Sequence, residues 1–316
     1  MAIETDIERS VSRDAELRDR CWRILHSDLH WSSVSLYGRE VYSHSSCLFV
    51  TKMISKYGLQ VSDSEVQAGP YTGDSSPESE PAKVEIQSNL SKAVKLLDLA
   101  LIVGGRALYS HILWLVQYLE KLAALCGVSL VKNYNLTNKS LRVSGNTVLE
   151  STGRQIPIVG EISLQEFHEK YFTLKQPVII RGALQHWPAF HEHDWGQSSF
   201  WVQNFGHRTI PVEVGNDYRS SSWKPSLMTI EDFIVDYIFP PRVRGEEIGY
   251  FAQSRVFEWI PKLRGDISVP EYLGDHDEIA NIWFVSNEIN VSCILKHNRV
   301  LKEQLLLFTL TDTLIC

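Results

Sequence analysis

In the first 125 or so residues, apolar side chains recur at three- and four-residue intervals. Trp22, Leu25 and Leu29 fall at i, i+3 and i+7, and Val41, Cys47, Leu48, Val50 and Ile54 continue an apolar face. This spacing places one side of a helix toward a core, and it predicts helix from about Ile7 to Tyr57. The pattern then stops. From Ser62 to Glu85 the chain reads SDSEVQAGPYTGDSSPESEPAKVE, rich in Ser, Pro, Gly and acids. Such a run buries too little apolar surface to offset its ordering entropy, so a disordered loop is expected over about residues 60–88. Helical spacing resumes at Leu90 and runs to about Ala124, with a break expected at Gly104-Gly105. A second polar stretch, NYNLTNKSLRVSGNTVLESTGRQ from Asn133 to Gln155, reads as a linker.

Beyond the linker the texture changes. PVIIRGAL (Pro177–Leu184) and RTIPVEVG (Arg208–Gly215) are short, β-branched and bounded by Gly and Pro, as strands are. Helical pieces lie between and after them. Ser163 followed by Glu166 makes a capping box for SLQEFHEKYF, and Thr229 with Asp232 makes the same signal before an apolar run. Helices grouped first and strands mixed with short helices afterwards predict an α+β fold. Side chains alternate across a strand, so Glu213 points opposite to Val212 and Val214, toward solvent or a cavity.

Composition narrows the function classes. The 316 residues are 44% hydrophobic and 22% charged, the balance of a globular chain with a real core. A formal net charge of -7 gives no basic field to favour direct nucleic-acid binding. Five cysteines, Cys21, Cys47, Cys126, Cys293 and Cys316, are scattered and never in a CxxC pair, which fits reduced thiols better than disulfides or a zinc site. The most membrane-like stretch, Leu96–Leu119, is interrupted by Asp98, Arg106 and His111, so a buried helix pair is expected there. The start of the chain has no apolar core of a secretory signal.

Several blocks then take on a family likeness. QPVIIRGALQHWPAF, RTIPVEVGNDY with SSWKPSLMTIEDFI, IGYFAQSRVFEWIPKLRGDISVPEY and NIWF resemble, in order and spacing, the JmjC-domain (cupin-like) 2-oxoglutarate oxygenases. Within them the likeness is to the JmjC-domain protein 5 group of lysine demethylases and arginyl hydroxylases. CWRILHSDLHWSSVSLYGREVY and AVKLLDLALIVGG are similar to that group's helical region, and the resemblance covers most of Ala15–Phe284.

The resemblance implies a double-stranded β-helix (jelly roll) holding Fe(II) through a His-x-Asp strand and a distal His, with open positions for 2-oxoglutarate and dioxygen. It implies Tyr250 as a donor to the 2-oxoglutarate cofactor, and Glu213, Trp223, Gln253 and Trp283 as the lining of a groove for a lysyl or arginyl side chain of a protein substrate. The likeness stops at Phe284. The residues after it, VSNEINVSCILKHNRVLKEQLLLFTLTDTLIC, contain one histidine, His297, and two positions on stands Arg299, which cannot ligate iron. His26-x-Asp28, His276-x-Glu278 and the HEHD of His191–Asp194 read as solvated loop rather than metal ligands.

The expected organisation is therefore a helical domain over 1–128, a linker over 129–155, the N-terminal part of a JmjC/cupin-like domain over 156–284 and a divergent tail over 285–316. No metal ligand or catalytic residue is assigned, and a truncated, inactive form of a nuclear or cytoplasmic oxygenase is expected. The alternative is a non-catalytic interaction module acting through the helices. With the tail unlike barrel strands, Ile210, Val212, Val214, Trp283 and Phe284 are expected to lose part of their cover.

Overall fold

The computed structural model describes residues 15–16, 18–20, 23, 34–56, 80–132, 156–216, 223–239, 247–268, 270–273, 279–285, 294–296, 305–309 and 313–315. The chain divides into two compact units, one of Met1–Lys132 with His207–Thr209, the other of the remaining residues.

Among the described residues three long helices build the first unit: α1 (Leu36–Lys56), α2 (Glu80–Val103) and α3 (Tyr109–Leu125). The break between α2 and α3 falls at Gly104-Gly105, where the pattern places it. Packing explains why both residues are glycine. A Cβ on Gly104 would sit 2.2 Å from the Ser43 hydroxyl, and one on Gly105 would sit 2.0 Å from the Glu40 carboxyl carbon. Glu40 takes the exposed N–H groups ahead of α3, accepting from Arg106 at 2.8 Å and Ala107 at 3.2 Å. A carboxylate is well suited to this role, since helix N-termini carry unpaired donors and a positive dipole end.

Two details depart from the apolar pattern. The helix α2 begins at Glu80, upstream of Leu90, so the expected loop is helical from there on. Glu80 favours the dipole and Pro81 supplies a preset φ in the first turn, while Ile86 and Leu90 are both buried. In α1, Cys47, Val50 and Ile54 are buried as expected, but Leu48 is 51% exposed while Tyr42, Ser43, Ser45 and Ser46 are buried in its stead. Serines allow close approach of helices, and Ser43 and Ser45 bond to backbone carbonyls, which removes the cost of burying them. Residues 60–79 of the expected loop, and the whole linker segment Asn133–Gln155, lie outside the described residues.

A charged cluster sits inside this unit. Asp98, 2% exposed, accepts from Arg208 Nη2 at 2.6 Å, Arg208 Nε at 2.9 Å and the Thr209 backbone N–H at 2.7 Å. Glu120 accepts from His207 Nε2 at 3.1 Å and lies 3.7 Å from Arg208 Nη1. Burial pulls the Arg208 pKa down, and the charge and hydrogen bonds of Asp98 outweigh it, leaving the pKa above its ordinary value. What interrupts the apolar run at Asp98 is thus one half of a buried ion pair. Among the described residues no helix is long and apolar enough to cross a membrane.

The second unit is organised on a nine-stranded sheet in the order β1-β2-β9-β8-β7-β6-β5-β3-β4. The strands are β1 (Ile158–Val159), β2 (Ile179–Arg181), β3 (Thr209–Gly215, whose first residue belongs to the helical unit), β4 (Lys224–Thr229), β5 (Ile248–Ser254), β6 (Ile279–Val285), β7 (Ile294–Lys296), β8 (Leu305–Thr309) and β9 (Thr313–Ile315). Both N-caps form: Ser163 accepts from the Glu166 N–H and Thr229 from the Asp232 N–H. The core is aromatic, with Trp195, Trp201, Phe233 and Phe251 each 2% exposed or less.

The segment after Phe284 corrects an expectation. It contributes β7, β8 and β9, and β6 pairs with β7 as well as β5. The last strand returns to β2 with Ile180 opposite Leu314. Ladder hydrogen bonds come from the backbone, so a segment without clean side-chain alternation still pairs. Ile210, Val212 and Val214 are 1%, 1% and 4% exposed, so they keep their cover.

Candidate functional site

The strand β3 carries the alternation that the sequence predicts. Val212 and Val214 are buried and Glu213 between them is exposed. In the antiparallel ladder Glu213 lies opposite Tyr250 of β5, Val214 opposite Gly249 and Gly215 opposite Ile248. Directly opposed residues share a face, so Glu213, Gly215, Ile248 and Tyr250 line the open side. Val214, Gly249 and Phe251 line the other, where Tyr237 packs so closely that a Cβ on Gly249 would meet its ring at 2.5 Å.

Trp223, just ahead of β4, closes over the open side. Its indole N–H donates to Glu213 Oε2 at 2.8 Å. It rests directly on Gly215, where an added Cβ would lie 2.9 Å from the Trp223 Cα and 3.0 Å from its Cε3. Tyr250 is partly buried, and its phenol pKa is pushed above 10.0, first by that burial and second by the Glu213 carboxylate facing it. A phenol held neutral this way keeps its proton and remains a hydrogen-bond donor.

The next ladder adds the last two residues by register alone. Tyr250 pairs with Val285 and Phe251 with Phe284, but Ser254 pairs with Ile282. Ala252 and Gln253 therefore both oppose Trp283, a bulge of one extra residue in β5. Five residues scattered from 213 to 283 thus come onto β3, β5, β6 and the entry to β4. Glu213, Trp223 and Tyr250 form a shelf: one carboxylate, its indole clamp and a donor phenol. Gly215, which permits the clamp, is missed by sequence reasoning. Its only signal is a glycine at a strand end on the parity of Glu213.

The HEHD segment is more fastened than a solvated loop. His193 Nδ1 lies 2.6 Å from Asp266 Oδ1, and the Trp195 indole N–H donates to Asp266 Oδ2 at 2.8 Å. His191 Nε2 bonds to the Gln185 carbonyl oxygen, and the His193 ring stacks on Phe200. These contacts anchor buried Asp266, which a carboxylate in the core requires. The two other His-x-acid pairs and His297 lie outside the described residues.

Among the described residues no group of three or more His, Cys, Asp or Glu converges so as to hold a metal ion. The donors on the shelf, a carboxylate, an indole and a phenol, do not fit a two-histidine, one-carboxylate iron site.

Comparison with known proteins gives this arrangement its context. No family model matches the sequence. The chain is 32% identical over 206 residues to "Lysine-specific demethylase 8" of Danio rerio, covering 63% of this chain and 50% of that protein. It is 31% identical over 260 residues to "Jumonji C domain-containing protein 5" of Drosophila melanogaster, covering 81% of this chain and 55% of the relative. A third relative, "JmjC domain-containing protein D" of Dictyostelium discoideum, is 25% identical over 273 residues, covering 85% and 58%. The chain belongs to the JmjC domain-containing proteins. Membership implies a cupin-like fold, and Fe(II) and 2-oxoglutarate dependence in the family. The chain spans about half the length of the curated relatives it matches.

Proposed function

We propose that this chain carries the side-chain-binding shelf of a JmjC protein oxygenase, without the iron ligands that would make these 316 residues an oxygenase by themselves. The observation that carries the reading is the convergence of Glu213, Trp223 and Tyr250 on one open face. An exposed carboxylate beside two aromatic rings attracts a cation, by charge and through the ring faces, each contributing roughly 0.5–1 kcal/mol at an exposed site. A lysyl or arginyl side chain of a protein fits that chemistry. In this reading Tyr250 donates to 2-oxoglutarate, and Gln253 and Trp283 extend the groove. The segment after Phe284, whose one histidine, His297, is followed two positions on by Arg299 and not by an acid, marks an inactive, truncated form in this reading.

Two titrations on the 316-residue chain test this. Blocked lysine and arginine peptides should bind, and Glu213→Gln should weaken them. Mn(II), as an iron surrogate with 2-oxoglutarate, should find no stoichiometric micromolar site. A stoichiometric site would mean that the strands after Phe284 supply ligands and that the inactive reading is wrong.

A second reading, a non-catalytic interaction module acting through the helices, has its own observation. Along α3 the rings of His111, Trp114 and Tyr118 stack in series at 5.8 and 5.5 Å between centroids, and Trp114 and Leu125 are exposed. Charge reversal at Glu213 that leaves partner capture intact would favour it.

A further inference from the structure

The shelf raises the question of what holds Glu213 in place, since an exposed glutamate has several rotamers and no reason to keep one. Two atoms answer it. Glu213 Oε2 accepts the Trp223 indole N–H at 2.8 Å, and the indole can reach it only because the Trp223 backbone lies against the bare Cα of Gly215. The closest atoms to a Cβ built there are the Trp223 Cα at 2.9 Å and N at 3.2 Å, with ring atom Cε3 at 3.0 Å. Two of the three are backbone, so no side-chain rotation relieves the clash. The need at Gly215 is for space; its backbone lies outside the left-handed region. Gly215 and Glu213 share a face, two positions apart on β3, so the packing surface and the clamped carboxylate belong to one side of one strand.

We propose that Gly215 is a positioning residue for the shelf: it seats Trp223 against β3 so that the indole N–H fixes the Glu213 carboxylate for a cationic ligand. Gly215 itself touches no ligand and acts through Trp223. The part concerning the ligand rests on the cation-binding reading above; the seating of Trp223 does not. A carboxylate with Oε2 already engaged presents Oε1 outward in a fixed direction, so binding does not have to order it.

The expected effects follow from which contact is lost. Gly215→Ala pushes Trp223 off the strand and releases Glu213. Trp223→Phe keeps the ring's bulk but removes the N–H. A hydrogen bond to a charged group typically matters at the level of about tenfold in an equilibrium, so each change should weaken binding of a blocked lysine or arginine peptide by about that factor. Because both act through one contact, the double variant should be no weaker than either alone, as a thermodynamic cycle requires of a single shared interaction.

The indole signal of Trp223 in a ¹⁵N–¹H correlation spectrum, identified by its loss in Trp223→Phe, gives a readout free of any ligand. In the wild-type chain this signal should lie downfield, where a hydrogen-bonded indole N–H falls. Glu213→Ala and Gly215→Ala should both move it to the position of a free indole. Non-additive losses and a released indole signal establish the role. An indole that keeps its hydrogen-bonded position in Gly215→Ala, or peptide losses that add in the double variant, overturns it. An indole released by Gly215→Ala with no peptide binding to any variant would overturn the cation-site reading, and support the seating of Trp223 by Gly215. Trp223→Phe introduces no clash, so the cycle keeps one arm readable even where Gly215→Ala folds poorly.

Discussion

Replacing Asp98 by alanine is the sharpest test of what stabilises the helical unit. Asp98 is 2% exposed and accepts four hydrogen bonds, three from the Arg208 guanidinium and one from the Thr209 N–H. Alanine leaves the buried guanidinium facing Glu120 at 3.7 Å, beyond hydrogen-bond reach, and removes the acceptor of the Thr209 N–H. Taking one partner from a buried pair costs about 3–5 kcal/mol, most of it from the charge left behind. Native domains are stable by about 5–15 kcal/mol, so the loss is roughly a fifth or more of the total. Urea unfolding followed by circular dichroism at 222 nm measures it. Asp98→Ala should lower the midpoint without changing the slope, and Asp98→Asn, which keeps an acceptor oxygen, should fall between it and wild type. Arg208→Met combined with Asp98→Ala should be less damaging than the two single losses summed, because the pair is then removed as a whole. A loss under about 1 kcal/mol for Asp98→Ala would refute the reasoning, since a pair worth so little behaves as an exposed one.

Three further outcomes are expected. Gly105→Ala drives a methyl into the Glu40 carboxylate, so it should destabilise the chain and lose its effect in a Glu40→Ala background; Glu40→Ala alone should cost about 1 kcal/mol, as lost helix caps do. The Tyr250 phenol, raised by burial and then by Glu213, should titrate closer to 10.0 in Glu213→Gln, read as tyrosinate absorbance against a Tyr250→Phe blank. A raised folded pKa gives stability that is full below the unfolded value and is lost as pH climbs through the folded one, so the wild-type chain should weaken above about pH 10. Cys47 is 4% exposed with its thiol pushed up to about 11 by burial, so it should resist alkylation at pH 8 until the chain unfolds; rapid labelling in the native state would show α1 to be frayed there.

Much of this architecture is written locally. Capping at Ser163 and Thr229 needs only a side chain and a backbone N–H three residues on, and both form. A helix cannot easily cross Gly104-Gly105, and α2 ends at Val103. Alternation alone sends Glu213 to the open side of β3. The burial of serines in α1 was not legible, because which face of a helix turns inward depends on what packs against it.

The amino-acid order by itself determined the helical first unit, the strand-rich second one, the polarity of β3 and the family likeness that singles out Glu213, Trp223, Gln253, Tyr250 and Trp283. Each follows from interactions over a few residues or from blocks that match as blocks. Tertiary structure alone decided the partners. Asp98 meets Arg208 across 110 positions, Trp223 lies down on Gly215, a one-residue bulge sets Gln253 against Trp283, and the segment after Phe284 closes back on β2. The physical reason is common to all four. Side-chain type and spacing say that a carboxylate must be satisfied, an indole must pack or a strand must pair; which distant group satisfies them is settled only when the chain is folded.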